Sequence, residues 1–495
     1  MVTLEGIIGG MAGAVSRKEA VRLVAVAGLV AACGHNTPVD QGTGGPPQGP
    51  VAQSWITTAD QTHLLSQQVD VLIRSDAVAS PIVIDVDEGT SYQEMVGFGA
   101  AMTDASAYLI QRKLGAQHDA ILRELFGRNP GIGLSFMRVP MGASDFSTHH
   151  YSYDDVPAGQ TDPTLAHFSI DEDRADKLPA LKAALAINPQ LKLVGSPWSA
   201  PGWMKTTGSL ITGTLRPEFY DSFAQYFRKF IEGYTAEGVP IFAVTMQNEP
   251  AYEPADYPGM RLDPPARAEV IGKHVGPLFA QAGIQTLILD WDHNWDLPSS
   301  PLAVLADPTA RQYVNAVAWH CYAGDVGVQD NVHAAYPSKD AYFTECSGGD
   351  WAKVFGDNLK WFVGTLIIGS TRGWAKGVAL WNLALDENAG PHLGGCGNCR
   401  GVITINSSNG FVTRNVEYYA LAHASQFVKP GAHRIFSSTD VSGLQTVAFK
   451  NADDDSKVLI VLNTAAAERT FAVHFSGKSI LYALAAGAVA TIRWS

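Results

Sequence analysis

Two glutamates stand at the ends of apolar segments and could work as a pair. The segment Ile241–Met246 runs into "QNEP", which contains Asn248 and Glu249, and the segment "AYFTE" ends in Glu345. Glycoside hydrolysis uses two such groups, one protonated to assist the leaving oxygen and one ionised to attack the anomeric carbon. A lone glutamate after a strand is more often a solvated or salt-bridged loop residue, so this prediction requires both groups to reach one site.

Aromatic and polar residues follow several other apolar segments at the same position. The set comprises Trp198, Trp203, Trp291, Trp295, Trp319, His320, Tyr322, Trp381 and Asn382. Aromatic faces stack on the C–H faces of sugars, while polar groups bind the hydroxyls. One buried tryptophan is usually part of a core, but indoles at four or more strand ends favour a sugar-binding mouth.

A repeated order of apolar strand and amphipathic helix positions these residues. The predicted strands are Val96–Ala101, Leu134–Met141, Leu191–Ser196, Ile241–Met246, Thr286–Trp291, Ala316–Tyr322, Ala341–Glu345 and Gly377–Trp381. The predicted helices between them include Ala175–Ile187, Pro217–Tyr234, Pro265–Ala282 and Val354–Ser370. Eight strand–helix units predict an α/β fold, a (β/α)₈ TIM barrel, in which strands four and seven end at one mouth. A doubly wound sheet is the alternative, but "GFGAAMTD" lacks the third glycine of its phosphate turn.

The two flanks of this region have the two-residue period of β-strands. The tail segments "QTVAFKN", "KVLIVLN", "RTFAVHFS" and "ATIRWS" alternate apolar and polar residues. The segments "VDVLIR" and "PIVIDV", near the other end of the chain, also read as strands. We therefore predict an antiparallel β-sandwich built from residues 51–90 and 428–495, around a catalytic barrel at residues 91–427.

The N-terminus has the pattern of an export signal. Arg17, Lys18 and Arg22 precede the short apolar run "LVAVAGLVAAC", which is too short to span a bilayer as a mature helix. The run ends in "VAAC", which resembles a lipobox and implies cleavage before Cys33 and lipidation of its thiol; an ordinary signal peptide is the alternative. Residues 1–33 are then a signal and 34–50 a flexible tether. We expect an exported protein, secreted or on the cell envelope, with any membrane contact through the lipid.

Four further cysteines remain for an exported chain: Cys321, Cys346, Cys396 and Cys399. An even number in an oxidising compartment predicts two disulfides. Cys396 and Cys399 are close enough to bridge locally, which leaves Cys321 to pair with Cys346. A zinc site is the competing interpretation, although there is no second CxxC to match the first.

Composition limits the class of partner and cofactor. The chain has 495 residues, of which 46% are hydrophobic and 17% charged, so it can bury a large core. A formal net charge of −13 argues against a nucleic-acid partner, because phosphate binding needs clustered lysine and arginine. The histidines are scattered and there is no phosphate-binding glycine loop, so we predict no metal and no cofactor.

Six motifs together indicate a family. In order they are "GFGAAMTDASA", "MRVPMGASDFS", "SPWSAPGWMK", "TMQNEP", "TECSGG" and "WNLALDENAGPHLGG". In this combination the chain resembles glycoside hydrolase family 30, the glucosylceramidase-like retaining β-glycosidases, from about Trp55 to its end. The resemblance implies that Glu249 is the general acid/base and Glu345 the nucleophile. A retaining mechanism predicts carboxyl groups roughly 5–5.5 Å apart, whereas about 9 Å would indicate inversion.

The resemblance also implies roles around the two glutamates. Asp104, Trp198, Asn248 and Trp381 would hold the sugar that is attacked, with Asn248 on the 2-hydroxyl. His320 and Tyr322 would line the mouth, and Tyr257 is a weaker candidate in the loop after Glu249. Arg138 would orient a carboxylate at the barrel floor, because arginine offers a fixed bidentate fork. Asn382 would support the site from the end of strand eight.

The cysteine beside Glu345 bears on the substrate. A cysteine at position 346, together with Cys321 at the end of the preceding strand, is a pattern that resembles microbial members of the family more than animal glucosylceramidases. The leading interpretation is a retaining β-glycosidase of the glucosylceramidase type, with a role in sphingolipid metabolism. The alternatives are an endo-β-1,6-glucanase or another microbial β-glucosidase or β-xylosidase. A non-catalytic carbohydrate-binding protein is a remote alternative. The sequence leaves the aglycone, exo or endo action and the oligomeric state open.

Overall fold

Eight parallel strands form a barrel in the computed structural model, which describes residues 49–495. They span Gly97–Ala100, Phe136–Met141, Lys192–Pro197, Ala243–Thr245, Leu287–Asn294, Val314–His320, Asp340–Glu345 and Ala375–Leu380. Strands two to eight pair in sequence order, and strand one pairs with strand eight. A bridge between Ala101 and Arg138 joins strands one and two, which closes the ring and confirms the predicted barrel.

Helices cover the outside of the barrel. The α-helices are Asp104–Lys113, His118–Phe126, Lys177–Ile187, Tyr220–Ala236, Pro264–Glu269, Gly276–Ala282, Ser299–Ala306, Pro308–Arg311, Val328–Ala335, Phe355–Trp361, Ser370–Arg372 and Val416–Ser425. The π-helical segments Val270–Val275 and Phe362–Gly369 join two pairs of them into longer helices. Short 3-10 turns lie at Gly115–Gln117, Asp171–Arg174, Gly202–Met204 and Pro217–Phe219. The helix Tyr220–Ala236 buries Phe223, Phe227, Phe230 and Tyr234, whose three- and four-residue spacing places them on one face.

Both flanks of the barrel enter one assembly of ten strands, which is antiparallel except where Val83–Glu94 pairs in parallel with Arg469–Phe475. The N-terminal flank supplies Val51–Thr57, Ser66–Gln67, Val71–Leu72 and Val83–Glu94. The tail supplies His433–Ser437, Leu444–Lys450, Lys457–Asn463, Arg469–Phe475, Lys478–Leu484 and Val489–Trp494. The first of these strands pairs with the last, so the β-sandwich uses both flanks as predicted.

Small sheets and two disulfides shape the rim of the barrel. Short strands pair at Gly348–Gly349 with Cys399–Arg400, and Ile403–Ile405 pairs with both Ala384–Leu385 and Val412–Arg414. Cys321 bonds Cys346 and Cys396 bonds Cys399, with Cα atoms 5.4 and 5.6 Å apart, which confirms both predicted disulfides. The first disulfide ties the ends of strands six and seven together, directly after Glu345.

A helix at the junction of barrel and sandwich carries a buried histidine. In Val416–Ser425, the ring of His423 contacts the hydroxyls of Thr57 and Thr491, each at 2.9 Å. Thr491 donates its proton to the carbonyl of His423, so it accepts from Nδ1–H, and Nε2 accepts from Thr57. Burial lowers the pKa of His423 to about 3.

The predicted signal peptide, its Cys33 and nearly all of the predicted tether precede residue 49 and lie outside the described residues. Within residues 49–495, no helix has the length and apolar character needed to cross a bilayer.

Candidate active site

Glu249 and Glu345 meet at the carboxyl end of the barrel. Both approach the ring of His320, whose Nδ1 lies 3.2 Å from Oε1 of Glu249 and 3.9 Å from Oε1 of Glu345. A carboxyl oxygen of one glutamate lies within 4.8 Å of a carboxyl oxygen of the other. That separation fits the roughly 5–5.5 Å of retaining enzymes and is too short for the roughly 6.5–9.5 Å of inverting ones.

The backbone at Glu249 is left-handed, with φ of 48°. This conformation is uncommon for a residue with a side chain, and its cost must be offset by surrounding contacts. The N–H of Glu249 donates to the carbonyl of Asp292, at 3.0 Å, in the neighbouring strand five. Asp292 itself has φ of 59°. The two irregular strand ends therefore hold each other and aim Glu249 across the barrel mouth.

Arg138 connects the groups at the floor of the site. Its side chain is completely buried, and one guanidinium nitrogen donates to Glu345. The other donates to Asp292 and to the side-chain oxygen of Asn248, each at 2.7 Å. Because arginine only donates, Asn248 must turn its oxygen towards Arg138, which leaves its NH₂ group for a ligand hydroxyl.

Asp292 is the buried anion beneath this site, and the sequence analysis did not select it. Its carboxylate accepts hydrogen bonds from the hydroxyls of Ser196, Thr245 and Thr344, each at 2.6 Å. Burial alone raises the pKa of Asp292, but Arg138, His320 and the hydroxyls outweigh burial and hold it well below its usual value. The sequence did contain a signal for Asp292, because it is an acidic residue at the end of the apolar strand "LILDWDHN". It stands next to Trp291, which was selected for its aromatic ring.

His320 is a charged donor placed between Glu249 and Asp292. Nε2 of His320 lies 3.0 Å from Asp292, and Nδ1 faces Glu249. Burial lowers the pKa of His320, but the carboxylates of Glu345, Asp292 and Glu249 outweigh it and raise it to about 9. Burial raises the pKa of Glu249, and its hydrogen bond and charge interaction with His320 bring it below its usual value. At neutral pH the ring of His320 is therefore protonated and donates from Nδ1 to the ionised Glu249.

Glu345 is held by donors on both of its oxygens. Arg138 donates to Oε2, and the hydroxyl of Tyr322 donates to Oε1 at 3.0 Å. Burial raises the pKa of Glu345, His320 and Arg138 lower it, and nearby carboxylates raise it again, so that it stays above its usual value. Both hydrogen bonds stabilise the ionised form of Glu345, because the oxygens of a carboxylate only accept.

Trp198 and Trp381 form one wall of the site. Their rings stack on each other, with centroids 4.9 Å apart and planes 19° apart. The guanidinium of Arg138 lies over both, at 4.6 and 5.6 Å from the ring centres. At this spacing no sugar ring fits between the two indoles. Cys399 belongs to the same apolar cluster, so the Cys396–Cys399 disulfide packs behind this wall.

Asp104 is placed by a buried ion network. It is the first residue of the helix after strand one, and it accepts from Lys177 at 2.8 Å and from Tyr151 at 3.2 Å. Lys177 also contacts Asp173 at 2.9 Å, and its side chain is almost completely buried. Asn382 is buried behind this network, where its oxygen accepts from Thr103, the N-cap of the helix, at 2.8 Å.

Two tyrosines and a further acid complete the surroundings of the glutamates. Tyr322 is half exposed at the rim. Tyr257 packs against the indole wall, and burial together with Asp145 and the two glutamates raises its pKa. Asp145 is buried near the same glutamates, and burial raises its pKa well above its usual value, with further contributions from Glu345 and Glu249. Asp145 was not selected from the sequence, although it lies within "MGASDFS".

Four of the six tryptophans at strand ends lie away from the glutamates, contrary to the prediction. All six are buried, but Trp203, Trp291, Trp295 and Trp319 belong to the main hydrophobic core, whereas Trp198 and Trp381 belong to the separate cluster beside Arg138. The indole N–H of Trp203 donates to the carbonyl of Asp154, and that of Trp295 to the side chain of Gln329. Predicted to line the mouth, His320 is instead fully buried below it. A strand end at the barrel mouth can point its side chain inward or outward, and the sequence motif does not say which.

Comparison with known proteins fits this geometry. The glycosyl hydrolase family 30 TIM-barrel domain matches residues 95–428, and the beta sandwich domain of the same family matches residues 431–492. The chain belongs to glycoside hydrolase family 30. It is therefore a glycoside hydrolase of a retaining family, with the barrel and sandwich that the family requires.

Relatives of this chain within family 30 include proteins named for two activities. The endo-1,6-beta-D-glucanase of Neurospora crassa is 37% identical over 432 residues, which cover 83% of this chain and 88% of that protein. The lysosomal acid glucosylceramidase of Mus musculus is 28% identical over 418 residues, which cover 79% of each chain. Among solved structures, an endo-beta1,6-glucanase superposes with a TM-score of 0.82 at 32% identity, covering 90% of this chain and all of the other.

Proposed function

We propose that Glu345 attacks the anomeric carbon of a β-glucoside while Glu249 protonates the departing oxygen. Water then attacks the glycosyl-enzyme, with Glu249 taking its proton, so that the β configuration is retained. The observation that carries this assignment is the short distance between the two carboxyl groups, which have oxygens within 4.8 Å of each other beside His320. Glu345 holds the donors Arg138 and Tyr322, whereas Glu249 has a partner from which it can regain a proton.

The surrounding residues support the same division of roles. The free NH₂ group of Asn248 is available to the 2-hydroxyl, where hydrogen bonds strengthen as the transition state develops. Asp104 offers a carboxylate to hydroxyls on the far side of the sugar, and the stacked indoles form the wall on which the sugar lies. Arg138 fixes Asn248 and Glu345 together, so the hydroxyl contact and the nucleophile move as one unit.

Two variants test the assignment. Glu345→Gln should lower kcat by 10⁴-fold or more, on the order seen when a nucleophile is removed. Glu249→Gln should lower kcat on the order of 10²- to 10⁴-fold for substrates with poor leaving groups, and less for activated aryl glucosides. NMR of the first product formed should show the β anomer. Activity of Glu345→Gln near that of the native enzyme would remove this residue from the nucleophile's role.

The same three groups, Glu249, His320 and Glu345, are also spaced so that they could hold a metal ion. Their hydrogen bonds to one another, to Arg138 and to Tyr322 already use these atoms in the glycosidase arrangement. Activity that survives dialysis against a strong chelator supports the metal-free assignment, and activity restored only by a divalent cation would contradict it.

We propose that the substrate is a β-1,6-linked glucan. The support is the similarity to endo-1,6-β-glucanases, which share 37% sequence identity with this chain in the Neurospora enzyme and 32% in the solved structure. The identity is 34% for a putative glucosylceramidase of Caenorhabditis elegans and 28% for the mammalian glucosylceramidase. Glucosylceramide is the second candidate, because that relative and this chain align over 79% of each. A panel of β-1,6-glucan, glucosylceramide, aryl β-glucoside and aryl β-xyloside would separate them, and early release of oligosaccharides rather than glucose would indicate endo action.

We also propose that the enzyme is exported and anchored by lipid on Cys33. Two disulfides within residues 49–495 support an oxidising location, since such bonds are rare in reducing compartments. Cys33→Ser should move the protein from the membrane fraction to the soluble exported fraction and abolish incorporation of labelled fatty acid. Unchanged fractionation would contradict the lipid anchor and leave an ordinary signal peptide.

A further inference from the structure

A groove leads away from Glu345 across the ends of strands six and seven. It encloses a cavity of about 600 Å³, and its lining includes Cys321, Tyr322, Ser347, Trp351, Val354 and Trp361. Tyr322 belongs both to the groove and to the catalytic site, because its hydroxyl donates to Glu345. The groove is therefore continuous with the site of bond cleavage.

Two tryptophans present large apolar surfaces in this groove. Trp351 is 56% exposed and Trp361 is 41% exposed. The ring of Trp351 lies directly on the backbone of Gly349, where a Cβ atom would come within 2.0 Å of the indole. Only glycine allows this approach, so the indole packs on the backbone of Gly349 and leaves more than half of its surface exposed. An exposed aromatic face held in one orientation is a platform for a sugar ring.

The loop that carries Trp351 is fixed from behind. The side-chain NH₂ of Asn358 donates to the carbonyls of Ala352 and Val354, at 2.9 and 2.8 Å. Gly349 pairs with Cys399 in a short antiparallel ladder. The Cys321–Cys346 disulfide forms the inner edge of the groove, next to the nucleophile. These contacts preorganise the platform before any ligand arrives.

The position of the groove identifies the end of the substrate that it faces. The wall of Trp198 and Trp381 and the carboxylate of Asp104 come from strands three, eight and one. The groove is lined by loops after strands six and seven, on the other side of Glu345. If the attacked sugar lies against the indole wall, the leaving group must leave across the groove.

We propose that this groove is the leaving-group subsite and binds glucosyl units of a β-glucan, with Trp351 as the stacking platform. The proposal rests on the proposed function of Glu249 and Glu345. A sugar chain suits the groove because Lys353 and Asp357 place charged groups along it, next to the indoles. A lipid tail would cover these groups without forming hydrogen bonds to them, which is unfavourable.

The subsite has a second role in a retaining reaction. A sugar bound there after the first step can replace water as the acceptor. Its hydroxyl oxygen forms a bond to the anomeric carbon as the ester bond to Glu345 breaks, and its proton passes to Glu249. The fraction of glycosyl-enzyme transferred to a sugar, rather than to water, therefore measures occupancy of the groove.

The experiment uses an aryl β-glucoside as donor and gentiobiose, a β-1,6-linked glucose disaccharide, as acceptor. Trp351→Ala should lower the ratio of transfer to hydrolysis about tenfold, the size expected for loss of one aromatic stacking contact. Trp351→Phe keeps an aromatic face and should retain most of the transfer. Phe411→Ala removes an aromatic side chain that is 66% exposed outside the groove, and should leave the ratio unchanged. Thermal unfolding of each variant checks that the fold is intact.

The outcomes distinguish a failure of the subsite proposal from a failure of the proposed β-1,6-glucan substrate. An unchanged transfer ratio in a folded Trp351→Ala variant would overturn the subsite, as would the absence of transfer to gentiobiose in the native enzyme. Selective loss of transfer to a long-chain alcohol, with transfer to gentiobiose intact, would assign the groove to a lipid instead. Because the donor is an aryl glucoside, the ratio can be measured whether or not the enzyme cleaves β-1,6-glucan, which is tested with the polymer itself.

Discussion

Two fully buried histidines in this protein have opposite protonation behaviour. At the catalytic site, the pKa of His320 is raised to about 9, whereas at the junction of barrel and sandwich the pKa of His423 is lowered to about 3. Burial lowers the pKa of both, since it disfavours the charged ring. Carboxylates surround His320 and outweigh burial, while His423 contacts only the hydroxyls of Thr57 and Thr491.

The difference shows what each region is built to do. The junction needs a neutral, directional contact that fixes the sandwich on the barrel. The site instead gathers charges that would be unfavourable alone and become tolerable only together. Arg138 with Asp292 and Glu345, and His320 with Glu249, form one network whose members depend on each other.

The largest expected effect is that of removing the central cation of this network. Arg138→Met leaves the buried carboxylates of Asp292 and Glu345 without their partner, which should lower the free energy of unfolding by about 3–5 kcal/mol. Activity should fall to background, because Glu345 and Asn248 both lose the donor that orients them. Chemical denaturation and kcat/KM on an aryl glucoside measure the two effects.

Arg267→Met is the matched control for that change. Arg267 is also buried and pairs with Asp290 at 2.8 Å, but it lies over Trp291 in the core rather than at the glutamates. It should lose comparable stability and retain kcat/KM per folded molecule. Equal loss of activity in both variants would mean that Arg138 acts only through stability.

The next effect separates the proton of His320 from its hydrogen bonds. In His320→Gln the side-chain NH₂ can donate to only one of Glu249 and Asp292, and the amide cannot hold a proton, so kcat/KM should fall on the order of 10²-fold. The ring of His320 keeps its proton up to about pH 9, so the variant should lose activity at a lower pH than the native enzyme on the alkaline side. An unchanged alkaline limb would show that the proton does not come from this pair.

The stability of the native enzyme should follow the same group. The folded pKa of His320 is raised above the unfolded value of about 6.5, so its contribution is complete below that pH. The contribution should be lost as pH rises from about 6.5 through about 9. In His320→Gln this alkaline decline should be smaller, as measured by unfolding at a series of pH values.

The smallest effect is at the junction and has the opposite sign. The folded pKa of His423 is below the unfolded value, so stability is complete above about pH 6.5 and falls as pH drops towards about 3. From this group alone the loss between pH 6.5 and 5 is about 2 kcal/mol. His423→Gln does not titrate and should flatten that part of the stability profile without altering the pH profile of catalysis. If both proteins lost the same stability as the pH falls, the assignment of a neutral His423 at the junction would be contradicted.

The fold and the catalytic pair were predictable because strong local patterns encode them. Each barrel strand lies within or overlaps a predicted apolar segment, and the tail alternates as a half-buried sheet must. Glu249 and Glu345 follow their strands directly, so barrel geometry alone brings them to one mouth. Trp319 and Trp291 have the same local pattern as Trp381 but lie in the core, since a motif does not fix which way a side chain points.

The sequence by itself determined the architecture, the family, the two disulfides and the strands that end in carboxylates. Those follow from periodicity, spacing and motifs, which act along the chain. Only the tertiary structure placed Asp292 beneath Arg138, buried His320 between two glutamates, stacked Trp198 on Trp381 and opened a groove beside Tyr322. These depend on distances between strands far apart in sequence, and on burial, which changes the charge state of a group according to what surrounds it.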